Sequence, residues 1–174
     1  MKRRTLLQGF ATISVLPLIS ACLRGKENIQ VSNTIMVESL NKPPETWREL
    51  LSPMAYKVLF EEDTERPGTS ALNNEHREGT YICAACYLPL FESTYKYESG
   101  TGWPSFTQPI AGHIKTKRDF KMIVQRIEYH CARCGGHQGH VFNDGPKPRG
   151  ERWCNNGIAL KFVQMEEELP VLRS

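Results

Sequence analysis

Apolar positions are spread unevenly along the chain. A basic triplet, Lys2-Arg3-Arg4, precedes a mainly apolar run from Phe10 to Ile19. That run is short for a bilayer span. From Leu23 to about Asn41 no period is visible and polar patches recur, which reads as a tether. Pro43-Pro44 ends it. Trp47, Leu50 and Leu51 suit one face of a short helix. Ser52-Pro53 then supplies an N-cap and a proline at the first helical position, opening a second helix through about Phe60. Glu62 to Gly79 is polar and loop-like. Beyond Gly79 the pattern changes to short apolar stretches between Gly, Pro and Asn. Tyr81-Ile82, Leu88 to Phe91, His113 to Thr116, Met122 to His130 and Ile158 to Val163 are strand candidates, with Met122 to Ile127 the clearest. Neither an internal repeat nor a low-complexity tract is present. The pattern predicts a small, antiparallel β-rich domain with two N-terminal helices.

Composition narrows the function classes. The chain has 174 residues, enough for one domain with a proper core. The formal net charge is +3, but residues 1–21 hold three basic residues and no acid; without them 19 basic face 19 acidic residues. That balance argues against a nucleic-acid binder driven by phosphate neutralisation. The basic run around Lys115, Lys117 and Arg118 reads as a solvated loop. Residues 1–21 read as an export signal. Arg3-Arg4-Thr5-Leu6-Leu7 resembles a twin-arginine signal, and Ile19-Ser20-Ala21-Cys22 a bacterial lipobox in which Cys22 becomes the lipidated first residue. The expectation is a membrane-anchored protein on the periplasmic side of a bacterial envelope, with a tether over residues 22–42 and the folded domain over 43–174.

The six cysteines then sort into one, four and one. Cys83-Ala84-Ala85-Cys86 and Cys131-Ala132-Arg133-Cys134 are two knuckles of the kind that hold tetrahedral zinc, and four thiolates close the coordination sphere as in a structural site. Gly135-Gly136 permits the turn after the second knuckle. One zinc per chain would clamp two distant β segments. Two disulfides, or a redox C-x-x-C, are the alternatives. Cys154, in Arg152-Trp153-Cys154-Asn155-Asn156, is left over. If that run is extended, Arg152, Cys154 and Asn156 share one face, and Trp153 and Asn155 the other. A guanidinium beside a thiol favours the thiolate and hence a nucleophile; a buried structural cysteine is the bland alternative. Trp103, set between glycine and proline in Ser99 to Phe106, is more rigid and accessible than a core tryptophan requires. His137 and His140 follow the second knuckle, and with the zinc already filled by thiols they are free for acid–base work.

Five runs together resemble the B-class methionine sulfoxide reductases: TERPGTS, GTYICAACYLPLF, SGTGWPSF, CARCGGHQGHVFNDGP and RWCNNGIALKF. They span roughly Trp47 to Val163. The resemblance implies an all-β, tent-like arrangement of antiparallel sheets with a structural Cys-four zinc. It implies reduction of the R epimer of methionine sulfoxide, in proteins or peptides. Cys154 would be the nucleophile, Trp103 the aromatic that receives the S-methyl group, His140 and secondarily His137 the histidines at the sulfoxide oxygen, Asn156 a positioning amide and Arg152 its flanking arginine. Many members carry a resolving cysteine where this chain has Thr101, so an external thiol, a thioredoxin-like protein or a small thiol, would reset Cys154. Gly157 and Gly68 stand where Ser and Phe are expected, which would loosen the pocket wall. A monomer is expected. A non-catalytic zinc module for protein or peptide recognition and a thiol–disulfide oxidoreductase are the competing readings.

Overall fold

The computed structural model describes residues 37–120 and 126–174. Cys22, the export signal, most of the tether and residues 121–125 of the clearest strand candidate lie outside the described residues. Leu40, within the stretch read as a tether, donates its N–H to Arg133 O at 2.8 Å and packs with Val37 against the core.

The helical expectation is half met. α1 spans Pro53–Glu61, with Ser52 Oγ accepting from Ala55 N at 3.2 Å and Glu62 closing it at φ 56°. The stretch before it makes only a 3-10 turn, Pro44–Trp47. The reason is local. Ser52 precedes a proline and is held extended at ψ 153°. Too few residues separate Pro44 from that break to build a second α-helix.

Among the described residues nine strands follow: β1 Gly79–Cys83, β2 Pro89–Glu92, β3 Lys96–Tyr97, β4 Ser105–Phe106, β5 Ile114–Asp119, β6 Arg126–Cys131, β7 His137–Phe142, β8 Arg152–Asn155 and β9 Leu160–Gln164. They form two sheets, ordered β2-β1-β9 and β3-β4-β8-β7-β6-β5. Every pairing is antiparallel. Ile158 and Ala159, expected to open the last strand, belong instead to a 3-10 turn, Gly157–Ala159. Lys115, Lys117 and Arg118 sit on strand β5 and not in a loop, yet all three stay exposed. β5 is a sheet edge, and lysines there discourage pairing with another chain.

The core lies where the two sheets meet. Phe91 of β2 stacks on Phe106 of β4 with ring centroids 4.1 Å apart, and Tyr81 of β1 meets Phe106 edge-on at 4.9 Å. Tyr81, Phe91, Phe106 and Tyr129 are all fully buried. α1 buries Ala55, Tyr56, Val58 and Leu59 as one stripe. Truncating Phe106 to Ala should cost about 3–5 kcal/mol of stability, against about 1 kcal/mol for Ser52→Ala at the helix cap. Urea unfolding checks the order; equal losses would contradict a core centred on Phe106.

Candidate active site

The two knuckles share one backbone design. Tyr87 N donates to Cys83 O (3.0 Å) and Cys83 N to Leu88 O (2.8 Å); Gly135 N donates to Cys131 O (3.0 Å) and Cys131 N to Gly136 O (2.9 Å). In each, the residue after the second cysteine is left-handed: Tyr87 at φ 64° and Gly135 at φ 76°. Glycine does this freely, whereas a side chain there costs about 1–2 kcal/mol. Lys161 and Arg173 over the Tyr87 ring, at 4.8 and 4.2 Å, offset part of that cost. The four Sγ atoms all lie within 4.8 Å of one another, with Cys83–Cys134 at 3.6 Å and Cys86–Cys131 at 3.5 Å. Zn–S bonds of about 2.3 Å in a tetrahedron require sulfurs about 3.8 Å apart. The set therefore fits zinc, and the four cysteines are free thiols rather than disulfides. Hydrogen bonds from Cys131, Cys134 and Cys83 hold the Cys86 thiol far below its ordinary range. One knuckle belongs to each sheet, so the cluster joins them.

The second knuckle also leads directly into β7, which carries both histidines. β7 pairs with β8, and His140 lies opposite Cys154. On its other side β8 pairs with β4, placing Ser105 opposite Cys154. Directly opposed residues share a face, so Ser105, Cys154, His140 and Glu128 form a row across the sheet. Beside it opens a 120 Å³ cavity whose walls include Cys154, His140, Trp103, Asn156, Arg126 and Phe142. The face expectation for β8 is met only in part: Cys154 and Asn156 line the cavity and Trp153 packs edge-on against Tyr129 at 5.1 Å, but Arg152 does not line it, and Asn155, whose Oδ1 accepts from Tyr129 Oη at 2.8 Å, does.

The other expected residues divide by what they touch. The Trp103 indole donates Nε1–H to Glu65 O at 3.1 Å, which fixes the ring in the cavity wall. His140 Nε2 is 2.9 Å from Asp119 Oδ2, which also accepts from Arg126 Nη2 at 2.7 Å. His137 is buried away from the cavity. Its Nδ1 lies 2.9 Å from Glu128 Oε1 but off the hydrogen-bonding line, and its ring meets His140 edge-on at 5.4 Å. Asn156 accepts from Glu65 N through Oδ1 and donates to Gln138 O through Nδ2, both at 3.1 Å, so its amide is spent on backbone. Arg152 is clamped by Asp144 at 2.8 and 2.9 Å and lies over the Phe142 ring.

Burial corrects one expectation, that Arg152 keeps Cys154 as a thiolate. Burial pushes the Cys154 thiol above its ordinary value; Arg152 and Thr101 pull it down, without winning, and Asp144 adds a push upward. Cys154 therefore rests as a thiol. Burial likewise pushes His140 below the usual imidazole range against the pull of Asp119, so it rests neutral. Sequence reasoning missed Asp119, Arg126 and Glu65. Asp119 and His140 are 21 residues apart, and no local pattern joins them. Glu65 lies inside a quoted run, but its role appears only in three dimensions: its buried carboxylate accepts from Gly157 N and, at 3.1 Å, from Ile158 N. The wall is not loosened at Gly157. A Cβ there would lie 1.9 Å from Ser70 Oγ, which fills the space. At Gly68, φ 77°, a Cβ would meet nothing within 4 Å.

The SelR domain family model matches residues 51–164. The chain belongs to the SelR-domain family. It is 52% identical over 122 residues to the peptide methionine sulfoxide reductase MsrB of Bradyrhizobium diazoefficiens, covering 70% of this chain and 88% of that protein. It is 48% identical over 124 residues to the MsrB of Leptospira interrogans, covering 71% and 95%. Over 142 residues it is 42% identical to the chloroplastic reductase B1 of Arabidopsis thaliana, covering 81% and 69%. The match takes in both knuckles, Trp103, His140 and Cys154, so the SelR domain contains the whole cavity.

Two outcomes follow from this geometry. Chelation under reducing conditions should release one zinc per chain and lower the melting temperature steeply, because a structural zinc carries folding free energy of about 10 kcal/mol or more; unchanged melting after metal loss would contradict the clamp. Iodoacetamide should alkylate Cys154 with a pH midpoint above the ordinary thiol value of 9.0, and Arg152→Met should raise it further. Rapid reaction at pH 6 would contradict a resting thiol.

Proposed function

We propose that this SelR-domain enzyme reduces methionine R-sulfoxide, mainly in proteins and peptides, with Cys154 as nucleophile. The observation that carries the reading is the facing pair: a resting thiol on β8 directly opposite a neutral imidazole on β7, at the wall of a cavity completed by Trp103. The S-methyl group lies against the indole. The sulfoxide oxygen points to His140, which Asp119 orients.

The proton balance follows from the two titration shifts. His140 takes the Cys154 proton as sulfur attacks sulfur, then gives it to the sulfoxide oxygen. The hydroxyl then passes from the substrate sulfur to the Cys154 sulfur as the substrate S–O bond and the transient S–S bond break, methionine leaves, and Cys154 is left as a sulfenic acid, on the reversible rung of the cysteine oxidation ladder. No net proton is consumed in this step. The step needs the thiol and the neutral imidazole together, so its rate falls below the His140 transition and above that of Cys154. Because burial moves the first down from 6.5 and the second up from 9.0, the rate is flat across neutrality.

Zinc, held by Cys83, Cys86, Cys131 and Cys134, supplies cross-linking and no step of the reaction. Thr101 offers a hydroxyl where a resolving thiol would stand. An external dithiol, such as a thioredoxin-like protein, or small thiols therefore attack the sulfenic acid, releasing water and leaving the reductant as a disulfide. Mass spectrometry after one turnover without reductant should find Cys154 carrying one added oxygen, and Cys154→Ser should abolish turnover with zinc retained. A disulfide from Cys154 to another cysteine of this chain would contradict the cycle.

The N-terminal reading is part of the same proposal: residues 1–21 as export signal, Cys22 as lipid anchor, residues 22–42 as a tether whose end docks on the domain through Val37 and Leu40, and 43–174 as the reductase domain, facing the periplasm. The basic triplet, short apolar run and Ile19-Ser20-Ala21-Cys22 support it. Cys22→Ser should move the protein from the membrane to the soluble fraction of a bacterial host; unchanged fractionation would contradict the anchor.

A further inference from the structure

Resting on the reading just given, we infer that the enzyme binds the polypeptide around the sulfoxide through a second recess that takes an apolar side chain of the substrate. The recess has a volume of 510 Å³ and is lined by Met54, Ala71, Leu72, Ile158 and Leu160, together with Glu65, Ser70, Gly157 and the polar Arg66 and Thr69.

Its place in the fold identifies the occupant. Thr64 and Asn156 line the catalytic cavity; Glu65 and Gly157, the next residue in each segment, line the recess. One partition thus separates the two spaces. The partition is closed by its own bonds: Glu65 N to Asn156 Oδ1, and Gly157 N and Ile158 N to the Glu65 carboxylate. Those groups are used up, so what the recess presents to an incoming chain is mainly hydrocarbon. The catalytic cavity, at 120 Å³, takes little more than the sulfoxide end of one side chain. The rest of any substrate must lie across the rim. An extended chain advances about 3.3 Å per residue and points alternate side chains to one side. A residue two positions from the sulfoxide points to the same side and therefore reaches the far side of the partition. Met54 is 42% exposed although it lines an apolar wall, as expected of a surface that a partner covers. This would make the enzyme selective for oxidised methionine in apolar sequence and poor on the free amino acid.

The test compares three R-sulfoxide substrates: N-acetylmethionine sulfoxide, a pentapeptide with Leu two positions to either side of the sulfoxide, and the same peptide with Gly at those positions. The wild-type kcat/KM should be at least tenfold higher for the Leu peptide than for the Gly peptide. Two exposed positions block the recess without touching the reacting groups: Ala71→Trp fills it, and Met54→Asp charges its wall while suiting the first turn of α1. Each should reduce the Leu preference to within about twofold and leave N-acetylmethionine sulfoxide turnover unchanged. Indifference of the wild type to Leu, persistence of the preference in both variants, or equal losses on the N-acetyl substrate would overturn the inference. So would self-association of the wild type that Ala71→Trp abolishes, since a second copy would then be the occupant. Failure of the wild type on every R-sulfoxide would remove the proposed activity itself, and this inference with it.

Discussion

The Glu65 carboxylate, buried and bonded to the backbone of Gly157 and Ile158, is the constraint on which the catalytic wall depends. Through its own N–H it holds Asn156, and through its carbonyl it holds the Trp103 indole. One residue thereby fixes the aromatic wall, the end of the nucleophile strand and the turn that follows. Burial raises its pKa, and the two backbone donors only partly oppose the shift. The charged form is thus costly in the fold. Its removal is also costly, because each buried donor left without a partner costs about 1–3 kcal/mol. A carboxylate kept under these terms serves geometry rather than stability.

The zinc cluster does for the sheets what Glu65 does for the loops. One knuckle belongs to each sheet, and β7 begins just after the second, so a metal-braced turn sets the strand that presents His140. The strand order β4-β8-β7 then brings Cys154 between Ser105 and His140 without any help from chain proximity. The electrostatic result runs against simple motif logic. Arg152 stands two residues from the nucleophile, yet Asp144 holds two of its three guanidinium nitrogens, and its pull on the thiol is outweighed by burial. A thiol and a neutral imidazole, each shifted by burial, are the natural partners for a reaction whose proton goes from sulfur to oxygen.

How much of this the sequence revealed depends on the range of the interactions. Ser52-Pro53, the paired C-x-x-C knuckles and Gly135 are local signals, and each appears where its spacing indicates. The alternation through Arg152 to Asn156 separates Cys154 from Trp153, but Asn155 lines the cavity as well and Arg152 does not. The short strands Lys96–Tyr97 and Ser105–Phe106 carry no period long enough to read, and β7 was legible as chemistry but not as a strand. Asp119, Arg126 and Glu65 act across 7 to 93 residues of chain, through strand pairing and loop packing that no local pattern shows. Lys117 was assigned to a loop because charge run and edge strand look alike in sequence; its bonds to Glu62 and Glu128 are tertiary.

The central claim is that the facing Cys154–His140 pair, beside Trp103, reduces one epimer of a methionine sulfoxide. Its most direct test is turnover on separated R and S sulfoxide peptides with excess dithiol. The account predicts complete consumption of the R peptide and none of the S peptide. Reduction confined to the S peptide, or equal reduction of both, would contradict it.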